Sequence, residues 1–228
     1  MPKKTEQKDT QSIQPEQVQQ VRISDIHPFK NHPFKVVDDA LMQETVDSIM
    51  QFGVLNPTII RPDPGGGYEM VAGHRRLHAS GLAGKDTIPA IVRNLTDDEA
   101  VILLVDTNLQ RENISPMERA QAYKMKMEAL KHQGQRTDLT STQVGRKLET
   151  AEIIAQQTGE SKNQVRRFVR LTELVPELQT MVDKNELAFN PAVELSYLTR
   201  DEQTELWDLI GREDATPSLS QSLRMKRL

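Results

Sequence analysis

Apolar positions recur with two different periods along this chain, and the change from one to the other divides it. From Val21 to Arg93 short apolar runs interleave with helical stripes. "VRISDI" predicts a strand and "HPFKNHPF" a loop restricted by its prolines. "DDALMQETVDSIMQFG" predicts a helix: Leu41, Val46, Ile49 and Phe52 approximate an apolar stripe, Asp38 or Asp39 caps the start, and Gly53 ends it. "PTIIRP" and "YEMVA" read as strands around a "DPGGG" turn, "HRRLHASGLAG" as a short helix stopped by glycine, and "TIPAIVR" as a further strand. Interleaved short strands and helices imply a compact α/β or α+β unit.

After Thr96 the strand signals vanish. "TDDEAVILLVDTNLQ" opens with a capping threonine and acidic first-turn residues. "SPMERAQAYKMKMEALKHQG" has Ser115 at the cap, Pro116 at the first helical position and Glu118 to close a capping box. "RTDLTSTQ" reads as a loop. The remainder to about residue 210 reads as helices, with joints at Thr158–Glu160, Pro176 and Asn190–Pro191. The predicted organisation is a disordered polar segment over 1–20, a mixed unit over 21–112, a helical unit over 113–212 and a tail over 213–228.

Composition narrows the function classes. The 228 residues include no cysteine, which excludes disulfides, thiolate metal sites and cysteine nucleophiles and fits a reducing cytoplasm. No apolar run reaches the roughly 20 residues of a membrane span, and "MPKKTEQKDTQSIQPEQVQQ" lacks the apolar core of a secretory signal. Net charge is −4 but uneven: residues 131–171 carry 8 Lys/Arg against 4 Asp/Glu, while residues 172–228 carry 6 against 11. Any nucleic-acid contact is expected in the basic middle. Aromatic residues make up only 4%, too few for a base-stacking platform.

That middle holds "AEIIAQQTGESKNQVRRFVRL", residues 151–171. Ala155, Gly159 and Val165 have helix-turn-helix spacing: a small residue for close packing, a glycine for the turn, an apolar anchor in the second helix. Ser161 is placed to cap that helix. Lys162, Arg166 and Arg170 stand four apart and share a face, and Asn163, Gln164 and Arg167 add groups suited to base edges and phosphates. Together these predict DNA binding; the plainer alternative is a helical hairpin with a solvated basic face.

Two further stretches carry chemistry. In "YEMVAGHRRLHAS" a strand ends at Gly73 and a helix begins, which lets backbone N–H groups approach an anion, with Arg75 and Arg76 adding forked donors. The same residues also suit an ordinary surface turn. In "DTNLQRENISPMERA", Asn108, Gln110 and Arg111 supply an amide pair and a guanidinium at a helix end, where capping is the simpler role. His27, His32, His74, His78 and His132 have no compact ligand spacing; His74 and His78 form an i, i+4 pair without an adjacent carboxylate. No residue is singled out as catalytic.

The ordered series "GVLNP" (with Gly53, Val54 and Pro57), "YEMVAGHRRLHA", "IPAIVR", "TNLQREN", "SPMERAQAY" and the helix-turn-helix, spanning about residues 21–198, resembles the ParB/RepB partition proteins. The resemblance implies an α+β ParB-like N-terminal domain that binds CTP with Mg²⁺, followed by an all-α helix-turn-helix domain that reads a palindromic site in double-stranded DNA. It implies self-association of the N-terminal domain into a sliding clamp, and a ParA-type ATPase partner. It assigns Gly53, Val54, Pro57, Gly73, His74, Arg75, Arg76, Asn108, Gln110 and Arg111 to the nucleotide, with Asn108 toward the metal. The system served is a plasmid, a mobile element or a chromosome.

Two departures bear on hydrolysis more than on binding. The family's glycine–glutamate–arginine–arginine segment has His74 for its glutamate, and its glutamate–asparagine–x–glutamine–arginine segment has Thr107. Mg²⁺ prefers hard oxygen ligands. Asp106 is displaced from position 107 by about 100° of helix rotation. At most a weak CTPase is expected. The family's C-terminal dimerisation domain has no counterpart after the helical unit: it is absent, or the chain is a piece of a longer protein. Two other readings stand: a nucleotide-independent helix-turn-helix regulator on the same fold, and an enzyme such as a nuclease or phosphotransferase, which needs a metal site or general base.

Overall fold

The computed structural model describes residues 17–111, 114–137 and 149–226. Residues 1–16 of the segment expected to be disordered, and all but the start of the loop expected at "RTDLTSTQ", lie outside them. The chain forms two compact units, one from residues up to His27 together with Ala40–Asn94, the other from Pro28–Asp39 and Leu95 onward.

The first unit is a five-stranded mixed sheet with two helices. Its elements are β1 (Val18–Arg22), β2 (Ile26–His27), α1 (Ala40–Phe52), β3 (Thr58–Pro62), β4 (Tyr68–Ala72), α2 (His74–Leu82) and β5 (Thr87–Val92). The strand order is β1-β5-β3-β4-β2. β1 runs antiparallel to β5 (Val21 opposite Ile88), β3 parallel to β5 (Ile59 opposite Ile91), β3 antiparallel to β4, and β2 parallel to β4. Ile60, Met70 and Ile88 are fully buried, each stabilising the unit by about 1.5–3 kcal/mol. Arg61 and Glu69 face each other across β3 and β4 and form a largely buried ion pair, with Nε 2.7 Å and Nη2 2.6 Å from Oε2.

Three expectations are corrected here. The strand predicted over "VRISDI" begins earlier, at Val18, inside the segment expected to be disordered, because β5 pairs with it. It ends at Arg22 in a 3-10 turn over Ile23–Asp25, after one last bond in the β1–β5 register from the Ile23 N–H to the Asp86 carbonyl at 2.9 Å. In α1 the buried face is Met42, Val46 and Ile49, while Leu41 and Phe52 are exposed. Both exposed residues lie about 80–100° around the helix from that face.

The second unit is helical: α3 (Asp97–Asn108), α4 (Pro116–Thr137), α5 (Thr150–Thr158), α6 (Lys162–Leu171), α7 (Pro176–Asp183), α8 (Phe189–Leu195), α9 (Arg200–Glu213) and α10 (Leu219–Met225). Capping boxes start α3 (Thr96, Glu99), α9 (Thr199, Glu202) and α10 (Ser218, Gln221). At α4 the Ser115 N–H donates to Glu118 Oε2 at 3.1 Å and Glu118 N–H to Ser115 Oγ at 3.2 Å, the reciprocal pair read from the sequence. The core gathers Tyr123, Ile154, Val165, Leu171, Leu178 and Leu195. Between β2 and α1, the 28–39 segment buries Phe29 and Phe34 in this unit. Its Lys35 N–H donates to Glu118 Oε1 at 2.7 Å.

One joint and the tail differ from expectation. Asn190 and Pro191 lie inside α8, in its first turn, where a proline's missing N–H removes no helical hydrogen bond. The stretch expected as a solvated tail contains α10; its Met225 packs on the core, and Lys226 pairs with Glu194 at 2.9 Å and sits 3.6 Å from the Tyr197 ring centroid. The division between compact units falls at Asn94/Leu95, so α3 belongs with the helices that follow it rather than with the sheet.

Candidate functional site

The helix-turn-helix is built from α5, Gly159 and α6. Gly159 ends α5 at φ 74°, a left-handed conformation that only glycine adopts without strain. Ser161 then caps α6, its Oγ accepting from the Gln164 N–H at 3.1 Å. Val165, Phe168 and Leu171 anchor the helix inward. Phe168 meets Tyr123 edge-on at 5.8 Å and Phe189 at 4.8 Å between centroids. With this apolar face buried, Asn163 and Arg166 are exposed, and Lys162, Gln164, Arg167 and Arg170 are partly so.

The cations on α6 have partners. Lys162 and Arg166 both pair with the carboxylate of Glu149, the residue preceding α5. Those two cations hold the Glu149 carboxyl below its ordinary pKa, Lys162 contributing most. Arg167 donates to Asn190 Oδ1 at 2.5 Å and lies over the Phe189 ring at 5.1 Å. Arg170 donates to Ser196 Oγ at 3.1 Å and to the Ser196 carbonyl, and its guanidinium lies 4.2 Å from the Tyr197 centroid. Lys162 and Arg166 therefore share a partner, whereas Arg170, expected on the same face, is drawn toward α8. Sequence reasoning missed Glu149, Asn190 and Ser196: they lie 17, 23 and 26 residues from the arginines they hold, beyond any local spacing rule.

In the first unit, the β4–α2 turn brings Gly73, Arg76 and Pro57 together. Gly73 is the N-cap of α2 at φ 111°. A Cβ there would meet Thr58 Cγ2 at 2.6 Å, so both the backbone angle and the close approach require glycine. Having no side chain, Gly73 leaves the helix start without the usual polar cap. Arg76 donates to the carbonyls of Asn56 (2.6 Å) and Pro57 (2.8 Å), fixing the "GVLNP" loop against α2, and its burial lowers its pKa. In that loop Val54 packs on the core, and the Gly53 N–H closes α1 on the Ile49 carbonyl at 2.9 Å. His74 and Arg75 are half-buried, and His78 is exposed.

The end of α3 carries the other predicted ligand residues. The Thr107 hydroxyl donates back to the Leu103 carbonyl at 2.9 Å, and Asn108 Nδ2 donates to the Leu104 carbonyl at 2.8 Å, so the Asn108 amide oxygen is its remaining acceptor. The Arg111 N–H donates to the Asn108 carbonyl at 3.0 Å. Gln110 lines a cavity of about 460 Å³ with Asp106, Arg119, Tyr123, Gln157 and Glu160. Asp106 accepts from Lys126, whose side chain is only 1% exposed and also donates to Gln157 Oε1. That pairing ties the Asp106 carboxylate to α4 within the helical unit. Arg119 pairs with Glu160 at 2.8 Å. Among the described residues no three His, Asp or Glu side chains are placed to hold a metal ion, and no helix is long and apolar enough to cross a membrane.

Comparison with known proteins gives a consistent assignment. Residues 7–109 match the ParB N-terminal domain and residues 112–218 the ParB HTH domain. The chain is 36% identical over 173 residues to stage 0 sporulation protein J of Bacillus subtilis, covering 76% of this chain and 55% of that protein. It is 34% identical over 187 residues to the chromosome-partitioning protein Spo0J of Thermus thermophilus, covering 82% and 62%. The chain thus spans less than two thirds of the length of these relatives. Among solved structures it resembles the C-terminally truncated chromosome-partitioning protein ParB of Caulobacter crescentus complexed to the centromeric parS site. That match has a TM-score of 0.53 and 25% identity over 92% of this chain and 98% of that one. The fold is shared with the pNOB8-like ParB N-domain, at a TM-score of 0.54 and 16% identity over 89% and 86% of the two chains. The chain belongs to the ParB family, with a ParB N-terminal domain followed by a ParB HTH domain.

Proposed function

We propose that this chain is a sequence-reading, double-stranded-DNA-binding protein of a partition system, with α6 as the helix that enters the major groove. The observation that carries this is the division of α6 into a buried apolar face and a face bearing Lys162, Asn163, Gln164, Arg166 and Arg167. The parS complex of the Caulobacter relative supports it. Sequencing the DNA recovered with the protein from cells tests it: a narrow palindromic peak with spreading around it is expected, and recovery no different from bulk DNA overturns it.

The N-terminal unit is proposed to bind CTP at the Gly73–Arg76 turn. A glycine-opened helix start favours phosphate, Arg75 supplies charge, and Arg76 holds the adjoining loop in place. The α3 donor set does not fit a magnesium ion fixed by the protein, since Thr107 is bonded to its own helix and Asn108 offers one neutral oxygen. Any Mg²⁺ is proposed to travel with the nucleotide phosphates. Phe52, Leu55 and Leu82 are exposed on this unit and are proposed to support self-association. Calorimetry with CTP, with and without Mg²⁺ and DNA, tests the nucleotide step. Absence of heat in every combination supports the second reading, a nucleotide-independent regulator, which the occupied Thr107 and Asp106 favour.

A further inference from the structure

Glu149 stands outside every segment assigned above, yet it touches the DNA-reading helix twice. Its backbone carbonyl starts α5, accepting from Glu152 at 2.8 Å and from Ile153 at 3.1 Å. Its side chain does no capping. Instead it reaches Lys162 and Arg166, one turn apart on α6. The backbone role fixes the position, so the carboxylate cannot withdraw far from α6. Side-chain exposures of 43% for Glu149, 38% for Lys162 and 50% for Arg166 place all three charges at the solvent surface.

We propose that Glu149 is a specificity-determining residue: its carboxylate competes with DNA phosphates for Lys162 and Arg166, and so weakens non-specific binding more than binding to the cognate site. The inference rests on α6 being the helix that meets DNA. Non-specific affinity comes almost entirely from cations neutralising phosphates and releasing counterions. A carboxylate that engages two of those cations acts directly on that contribution. At a cognate site, base-edge contacts by Asn163, Gln164 or the arginines add affinity that the carboxylate does not oppose. The exposed pairs are weak enough for phosphate to displace, so Glu149 raises discrimination without blocking DNA.

The test compares wild type, Glu149→Gln and Arg166→Ala on two probes across a salt series: a duplex of random sequence, and a duplex selected by the wild-type protein from a random pool. Glutamine keeps the size and removes the charge. The Glu149→Gln protein is expected to bind the random duplex about 2- to 30-fold more tightly, the range for releasing two exposed ion pairs. Its slope of log affinity against log salt should steepen by about 1–2. The selected duplex should gain less, so the ratio of the two affinities falls. Arg166→Ala should weaken both duplexes. If Arg166→Ala weakens binding while Glu149→Gln leaves random-duplex affinity and salt slope unchanged, the role of Glu149 is overturned and α6 still meets DNA. Loss of selected-duplex affinity in Glu149→Gln with helix content intact also overturns it, since Glu149 would then be aligning the cations. If Arg166→Ala changes neither duplex, the reading of α6 and this inference fail together.

Discussion

Two adjacent arginines in the β4–α2 turn have different work. Arg76 is spent on the Asn56 and Pro57 carbonyls, while Arg75 is the guanidinium proposed to meet phosphate. Arg75→Ala is expected to remove CTP binding. Arg76→Ala should lose binding and also lower the stability of the first unit by about 1–3 kcal/mol, the loss of two charge-assisted hydrogen bonds to the loop carbonyls. Calorimetry beside thermal melts separates the two, and CTP binding that survives both changes places the phosphate elsewhere. Gly73 gives a cleaner steric test. Gly73→Ala forces a Cβ toward Thr58 Cγ2 at 2.6 Å in a left-handed backbone, and should destabilise by about 1–3 kcal/mol. Thr58→Ser keeps the hydroxyl that donates to the Pro89 carbonyl and removes that methyl. In the double variant only part of the loss should return, because the backbone angle remains. Full recovery would mean that packing alone demands the glycine. The glycine was legible as a strand-to-helix junction. Its collision partner was not, since Thr58 lies on another strand that no local pattern connects to it.

The elements read most accurately were those whose ends carry their own chemistry. Thr96 with the acidic turn after it, and Ser115 with Glu118, state where a helix begins; the box read at Ser115 forms, and Thr96 closes one with Glu99 as well. Errors arose where tertiary partners decide: β1 exists because β5 pairs with it, and the inward face of α1 follows what it packs on rather than which residue is most apolar. The joining of α3, α4 and α5 by Lys126 is a similar case, because a lysine in a helix reads as a surface residue. Its ammonium is buried while Asp106 is 41% exposed. Asp106→Ala leaves an ammonium with only Gln157, and should cost about 3–5 kcal/mol. Lys126→Met leaves a carboxylate that water can reach, and should cost much less. Equal losses in chemical unfolding would contradict this asymmetry. Tyr123 in the same region adds a pH signature, its hydroxyl pushed up to about 12 by burial. The unfolded chain ionises near pH 10, so the stabilising contribution is complete below that value and is lost as pH rises toward about 12. A phenolate absorbance titration should show a step near 12 that disappears in Tyr123→Phe.

At the scale of the whole molecule, a net charge of −4 opposes general attraction to DNA, so the proposed binding is expected to come from local cations and to fall with salt. The family and the order of its two domains were legible because their motifs are short and ordered along the chain. The compact division at Asn94/Leu95 was not, because nothing local tells whether α3 packs on the sheet before it or the helices after it. The CTP hydrolysis that the family resemblance implies bears on two positions, His74 and Thr107. Hydrolysis needs the phosphate charge neutralised and a water positioned. His74 is half-buried and offers nitrogen where the family pattern has a carboxylate, and the Thr107 hydroxyl is bonded back to the Leu103 carbonyl. Neither supplies a hard anionic ligand. CTP turnover is therefore expected to be slow or absent even with DNA and Mg²⁺, while binding through the Gly73–Arg76 turn persists. Thr107 is exposed, so Thr107→Glu adds a carboxylate without burying it and should cost the helix only a few tenths of a kcal/mol near its C-terminus. The measurement is phosphate release by the wild type beside a His74→Glu, Thr107→Glu double variant. Turnover gained only in the double variant is the expected result, and robust turnover by the wild type would show that hydrolysis does not depend on those two carboxylates.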